Sequence, residues 1–283
     1  MIHVIGQLQQ ASWKALRYFR FPRDLRLIRQ QLGQLSRELS MASDARYSDP
    51  RHLCRLSGQV YSQNCEDGII QEVFRRVGTT NRFFVEIGVG DGLENNTRLL
   101  LETGWRGVWI EGDAGLARRI RNRFAAEIES GALTLVNAFV DRDNVERLMR
   151  DAGAPEAFDF LSVDVDYNTH HVWRAIKSFR YRAACVEYNA SYPASLDYEE
   201  RYDPRRMWDK SNRFGASLKA LERIGADAGM KLVGCDWHGV NSFYVASDLV
   251  DDQFVGPFTA EGQYHPPRYQ FEDIAGHPRF VPH

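Results

Sequence analysis

Residues 83–97, FFVEIGVGDGLENNT, begin as an apolar, strand-like run and pass directly into three alternating glycines, Gly88, Gly90 and Gly92, with Glu86 just ahead of them. A dinucleotide fingerprint needs its third glycine three residues after the second, so that helix and strand pack closely. That place is held here by Leu93. Glycines at a spacing of two let the backbone turn sharply and approach a ligand, and an acid at a strand end accepts hydrogen bonds from an ammonium or hydroxyl. The spacing therefore predicts a cationic or hydroxyl-rich ligand rather than a pyrophosphate.

Outward from that turn the chain alternates strand and helix patterns. RFFVEIG, GVWIEG, LTLVNAFV, FDFLSVDVD, AACVEYN, KLVGCDW and NSFYVASD read as strands, separated by helical segments such as DAGLARRIRNRFAAEIES and GASLKALERIGADAG. This rhythm predicts an α/β fold, a mostly parallel seven-stranded sheet with helices on both faces. Only a few residues separate the last two strands, too few for a parallel crossover, so they must form an antiparallel terminal hairpin. Two segments break the rhythm, residues 190–215 and the tail from Phe254 to His283. The first follows a strand, at the carboxyl edge where open sheets bind ligands, and is expected to cover the substrate.

The 283 residues are 43% hydrophobic and 26% charged, an ordinary globular composition with a net charge of −2 and no bias toward nucleic acid. Within residues 1–40, seven Lys/Arg against Asp24 and Glu38 give a local +5, leaving −7 for the rest. Cys54, Cys65, Cys185 and Cys235 show no C-x-x-C spacing, which argues against a zinc site or disulfide framework. With no run of 18 apolar residues and no signal-peptide pattern, a cytoplasmic protein is expected, with contact at the inner face of a membrane left open by the basic arm.

Beyond the glycine turn, VEIGVGDG resembles the first motif of Rossmann-fold methyltransferases that use S-adenosylmethionine (SAM). YSQNCEDGIIQEVF (61–74), NNTRLLLETGWRGVWIEGD (95–113), FDFLSVDVD (158–166) and GVNSFYVASDL (239–249) are similar, in order and wording, to FkbM-type methyltransferases. The likeness covers roughly residues 60–250. It implies a Rossmann-like methyltransferase sheet with SAM as cofactor and leaves the arm and the tail unexplained. Residues 40–60 are polar and irregular and read as a linker, so the expected division is a basic helical arm and linker (1–55), a methyltransferase domain (56–250) and an irregular tail packing on it (251–283). The cofactor residues it implies are Glu86, Gly88, Gly90, Asp91 and Gly92 around the methionine part, followed by Asn96 and Thr97. Glu111 would take the ribose hydroxyls, and Asn137, Ala138 and Phe139 would lie near adenine. Gln63, Asn64, Glu66 and Asp67 either reach the methionine carboxylate or amine, or cap the helix they open.

Asp164 and Asp166 alternate at the end of one strand and Glu187 and Asn189 at the end of another, so each pair faces one way. Clustered carboxylates need a positive neighbour. The candidates are SAM itself, Arg205 or Lys210 of the covering loop, or a divalent cation such as Mg2+ or Mn2+ held by Asp164, Asp166, Glu187 and Asn189. DVDYNTHHVWRAI is loosely similar to the metal-bearing segment of some sugar O-methyltransferases. Asp164, Asp166, His170 and His238 are the candidate catalytic residues, His171 competes with His170, and the tail histidines His265, His277 and His283 are expected in solvent. The resemblance implies methyl transfer to a hydroxyl of a sugar or polysaccharide, for which Tyr192, Tyr198, Tyr202, Trp208, Asp197 and Asp203 suit the covering loop. N- or C-methylation of a small metabolite or peptide, a metal-dependent hydroxylase on the same fold, and a non-catalytic SAM-binding assembly module are the alternatives.

Leu25, Ile28, Leu32, Leu35 and Leu39 step by 3, 4, 3 and 4, the period of a helix with a narrow apolar seam, and Pro22 suits its start. Three partners compete for it. They are the protein's own domain, a second subunit in a homo-oligomer, and an anionic membrane reached with Trp13, Tyr18, Phe19 and Phe21.

Overall fold

In the computed structural model, residues 25, 28–29 and 31–269 are described; Trp13, Tyr18, Phe19, Phe21, Pro22, His277 and His283 lie outside them. The elements run in chain order from helix α1 (described at residues 25, 28–29 and 31–43) through two 3-10 turns (Ala45–Tyr47 and Leu53–Leu56). Then come α2 (Glu66–Val77), β1 (Phe83–Ile87), α3 (Arg98–Glu102), β2 (Arg106–Glu111), α4 (Ala114–Arg123), α5 (Ala125–Glu129) and β3 (Leu133–Asn137). They continue with α6 (Val145–Asp151), β4 (Ala157–Val163), α7 (Thr169–Ala175), β5 (Arg180–Glu187), α8 (Leu218–Asp227), β6 (Met230–Cys235), β7 (Asn241–Ala246) and α9 (Ala260–Gln263).

The strands form one seven-stranded sheet in the order β3-β2-β1-β4-β5-β7-β6. Only β7 runs against the others, pairing antiparallel with β5 (Glu187 opposite Asn241) and with β6. This is the mostly parallel seven-stranded sheet with an antiparallel terminal hairpin expected from the sequence. Its period of two sorts the core. Val85, Ile87, Val108, Ile110, Leu161 and Val163 pack on one face against Met149, Trp173 and Leu221 of α6, α7 and α8. Phe84, Trp109 and Phe160 pack on the other against Ile70, Leu100 and Ile120 of α2, α3 and α4. Both faces are covered, so the central strands read as nearly unbroken apolar runs.

One buried charge ties the amino edge of the sheet together. Asp159 on β4 is fully buried and accepts hydrogen bonds from the backbone N–H groups of Thr80, Asn81 and Arg82 and from Thr80 Oγ1, at 2.7–3.1 Å. Removing it would strand those donors around a cavity. Asp159→Ala is expected to lower stability by about 3 kcal/mol or more. Chemical denaturation would measure this, and a loss of a few tenths would disprove the role.

Three expectations need correction. Residues 40–60 are no loose linker, because Tyr47, Leu53 and Cys54 are buried and Tyr47 and Cys54 pack with Trp237. His265, expected in solvent, is fully buried, 3.2 Å from the Tyr47 hydroxyl, where the tail packs on the domain together with Phe254. Short polar-looking segments concealed these contacts because each supplies only one or two anchors.

The third correction concerns α1. It docks on the domain through Gly33, Arg37, whose Nη2 donates to the Ser57 carbonyl at 3.1 Å, and Met41, which packs on the Tyr47–Cys54–Trp237 cluster. The seam faces the other way. Of the three partners weighed for the seam, its own domain is therefore not the one that covers it among the described residues.

Candidate active site

At the carboxyl edge of β1 and β4, Gly88, Gly90 and Gly92 all adopt positive φ (84°, 69° and 77°), the left-handed region that favours glycine. At Gly88 the lack of a side chain is also required by contact, since a Cβ would lie 1.6 Å from the Asp164 carbonyl oxygen. A Cβ on Gly90 would meet only open space. The turn thus brings bare backbone to a cleft of about 280 Å³.

Of the cofactor residues expected from the sequence, Gln63, Glu86, Gly88, Gly90, Asp91, Asn96 and Asp164 line this cleft. Glu66, Glu94, Asn95, Val240 and Asn241 line it too. Glu94, Asn95 and Asn241 escaped the sequence reading, although adjacent polar residues after a glycine turn and an Asn opening an otherwise apolar strand were available signals. Five wall residues carry carboxylates, Glu66, Glu86, Asp91, Glu94 and Asp164; among the described residues lining the cleft none is basic. Asn95 Oδ1 and Asn241 Oδ1 are buried acceptors without a hydrogen-bond partner. The cleft is built to accept hydrogen bonds and positive charge.

Glu86 lines the cleft and also supports the turn, and other expected residues only support it. Glu86 is buried beneath it and accepts from Asn95 Nδ2 (2.6 Å), from the Asn96 and Thr97 backbone N–H groups (2.9 and 3.1 Å) and from Thr97 Oγ1. Burial pushes its carboxyl above the usual range, opposed by those donors. Thr97 Oγ1 in turn accepts from Trp109 Nε1 at 2.7 Å, so Thr97 is a strut. A side chain at Gly92 would strike Phe124 at 2.8 Å. Asp67 uses Oδ2 to accept from the N–H groups of Val60, Tyr61 and Ser62 (2.6–2.8 Å) and does not line the cleft. Asp67 therefore neither lines the cleft nor caps α2; it ties residues 60–62 to the first turn of that helix.

Glu111, buried at the end of β2, accepts from the N–H of Gly90 (2.8 Å) and of Asp113 (2.7 Å), bracing the glycine turn from the side of β2. Beside it Asn137 Nδ2 donates to the Glu111 carbonyl at 2.8 Å, as does the Ala138 N–H at 3.1 Å, and Phe139 stands exposed.

Beside the cleft, which Asp164 alone of the three lines, one carboxylate oxygen from each of Asp164, Asp166 and Glu187 lies within 4.8 Å of the others. Burial, and then the charge of Asp166, pushes Asp164 up to about 6. Burial, followed by the charges of Asp164 and Asp166, pushes Glu187 well above the carboxylate range. Glu187 Oε2 is buried with no hydrogen-bond partner. Asp166 holds a left-handed φ of 56°, a strained place for a non-glycine that turns its carboxylate back toward the cluster. Three hard oxygen donors and an unpartnered buried oxygen suit a divalent cation.

Asn189 is not a fourth ligand. Its amide is consumed by the covering loop, donating to the Asn212 and Phe214 carbonyls (2.8 and 3.0 Å) and accepting from the Ser191 N–H (2.9 Å). His170 is also misplaced as a base. It is fully buried, its Nε2 lies 3.0 Å from the Glu200 carbonyl oxygen beside that of His171 at 2.9 Å, and burial lowers it to about 3. His238 is buried in the β6–β7 turn against Asp236 and does not line the cleft. Arg205 and Lys210 are exposed and do not line it either.

The covering loop is organised by Glu200, a residue the sequence reading passed over. Its buried carboxylate accepts from the hydroxyls of Tyr167 (3.1 Å), Tyr192 and Tyr198 (both 3.3 Å). Trp208 and Met207 remain exposed on the loop, and Asp197 is taken by Arg223. Residues 190–215 carry five acids and five bases, so the loop forms no basic stripe.

No family model matches the chain. A 68-residue stretch, 24% of the chain, is 38% identical to 26% of the "Probable ribosomal RNA small subunit methyltransferase A" of Methanospirillum hungatei JF-1, so the chain matches about a quarter of that relative's length. Among solved structures it is similar to a putative O-methyltransferase from Klebsiella pneumoniae (17% identity, 77% of this chain and 97% of that one, TM-score 0.44). It is also similar to the N-terminal domain of EvdMO1 with SAH bound (15% identity, 70% and 79%, TM-score 0.39). At these scores the likeness carries no argument about activity, which rests on the cleft.

Proposed function

We propose that this protein is a SAM-dependent O-methyltransferase whose acceptor is a hydroxyl of a sugar or polysaccharide, assisted by a divalent cation. The observation that carries the reading is the wall of five carboxylates with two unpartnered amide oxygens, beside a bare glycine turn at the carboxyl edge of the sheet. SAM supplies an electrophilic methyl on a cationic sulfur next to an ammonium, the charge this wall lacks. Asn95 Oδ1 and Asn241 Oδ1 fit that ammonium, the glycine turn fits the methionine backbone, and Glu111 fits the ribose hydroxyls.

Asp164, Asp166 and Glu187 would hold the cation, which supplies charge that makes a nearby hydroxyl more acidic. Methyl transfer forms one O–C bond as the S–C bond breaks, and the hydroxyl proton must leave. With His170 and His238 turned elsewhere, the carboxylate cluster is the available acceptor for it. The exposed Trp208 and Tyr198 and the half-buried Tyr192 offer ring faces for a sugar, while an acidic cleft and a charge-balanced loop disfavour a polyanionic acceptor.

The test is calorimetry with SAM, followed by measurement of S-adenosylhomocysteine formed with a panel of sugars, small metabolites and peptides. Binding without turnover on any acceptor would leave the assembly-module reading; no binding would end the proposal. Glu111→Ala is expected to weaken SAM binding by about 1.5–3 kcal/mol, since it loses charge-assisted bonds to ribose together with the brace on Gly90. A change of a few tenths in that titration would place Glu111 outside the site.

A further inference from the structure

The seam of α1 remains without a partner in the described structure. Leu25, Ile28, Leu32, Leu35 and Leu39 are 43, 50, 52, 62 and 65% exposed, against a core in which most leucines are nearly inaccessible. Five large apolar side chains in one row on a helix anchored by its opposite face mark an interaction surface. Their direction is set by the Arg37–Ser57 bond and by Met41, so the row is presented to the outside.

We infer that this row is an isologous interface with a second copy of the same chain, two α1 helices packing seam to seam. Two observations favour a copy over a lipid surface. The seam is only two residues per heptad wide, the width of a helix-pair seam, whereas a helix lying in a membrane surface presents a broad apolar face. In the heptad set by Leu25, Leu32 and Leu39, the flanking positions hold Arg29, Gln31, Ser36 and Glu38, which carry no net charge. Flanks of both signs suit a self-complementary contact, while an anionic surface calls for cations on both sides. The seam spans two heptads, so the contact is a modest one that responds to protein concentration.

Light scattering coupled to size exclusion on the full chain tests this over a concentration series. The expected mass rises toward twice 32.5 kDa, and Leu32→Glu with Leu35→Glu returns it to a single chain. SAM affinity and melting temperature should stay near wild type, because these side chains are exposed and distant in sequence from the glycine turn. The milder pair Leu32→Ser and Leu35→Ser guards against a folding defect. As a further check, Leu35→Cys would add a single exposed thiol to a chain whose four cysteines are all buried, and mild oxidation should yield a disulfide-linked dimer. A single-chain mass at every concentration overturns the inference. So does a dimer that survives both double variants, or a single-chain protein that sediments with phosphatidylserine vesicles in a salt-sensitive way.

Discussion

Gly90→Val is expected to abolish SAM binding while leaving the sheet folded. Gly90 sits at φ 69° and lines the cleft, and a Cβ there meets no protein atom. The added side chain would therefore enter the space reserved for ligand rather than the core. A β-branched residue in the left-handed region costs about 1–3 kcal/mol, and the turn would relieve it by releasing the Gly90 N–H from Glu111. Calorimetry should show no SAM heat, with circular dichroism unchanged and a modest drop in melting temperature. Gly88→Ala makes the contrasting case. Its Cβ would collide with the Asp164 backbone, so protein stability should fall with the binding. Wild-type SAM affinity in Gly90→Val would refute the placement of the cofactor.

The second large effect is on chemistry. Asp164→Asn should reduce turnover by about 10²–10⁴-fold, the range typical of losing a general base, and weaken Mn2+ binding with it. The pH dependence follows from the same group. Burial pushes Asp164 up to about 6 in the absence of cation, and a protonated carboxyl does not bind one, so cation uptake should fall as pH falls through about 6 and turnover should fall with it. Stability takes the opposite sign. A carboxyl whose folded value lies above its unfolded one contributes stability that is complete below the unfolded value and is lost as pH rises through the folded one. Without cation the protein should therefore lose this contribution between about pH 4 and 6, and Asp164→Asn should melt higher than wild type at pH 8. Added Mn2+ should raise the wild-type melting temperature and leave the variant where it is. Chelator-insensitive turnover together with an unchanged melting curve would remove the cation from the mechanism and leave the carboxylates as proton acceptors alone.

Much of the architecture was legible because it is written in short-range periodicity. Strands at period two, helices between them and a final gap too short for a crossover specify a parallel sheet ending in a hairpin, whatever the side chains do. The glycine turn was legible for a similar reason, since left-handed backbone at Gly88, Gly90 and Gly92 is a local requirement. Strand-end position likewise brought Asp164, Asp166 and Glu187 together correctly.

What sequence position could not decide was which atoms of a polar residue were already taken. Asn189 faces the same way as Glu187, yet three loop bonds consume its amide. His170 follows β4 and its two acids, yet helix α7 turns it toward the Glu200 carbonyl. Glu86 stands at the head of the motif, yet its four hydrogen bonds go to the turn it supports. Asn241 reaches the cleft only because β7 runs antiparallel beside β5 and starts opposite Glu187. The seam of α1 follows the same division. Its period fixes a helix with one apolar row, but only tertiary packing, through Gly33, Arg37 and Met41, decided that the row faces outward. Periodicity is a property of neighbours along the chain; hydrogen-bond satisfaction and burial are set by groups far apart in it, which meet only when the sheet closes.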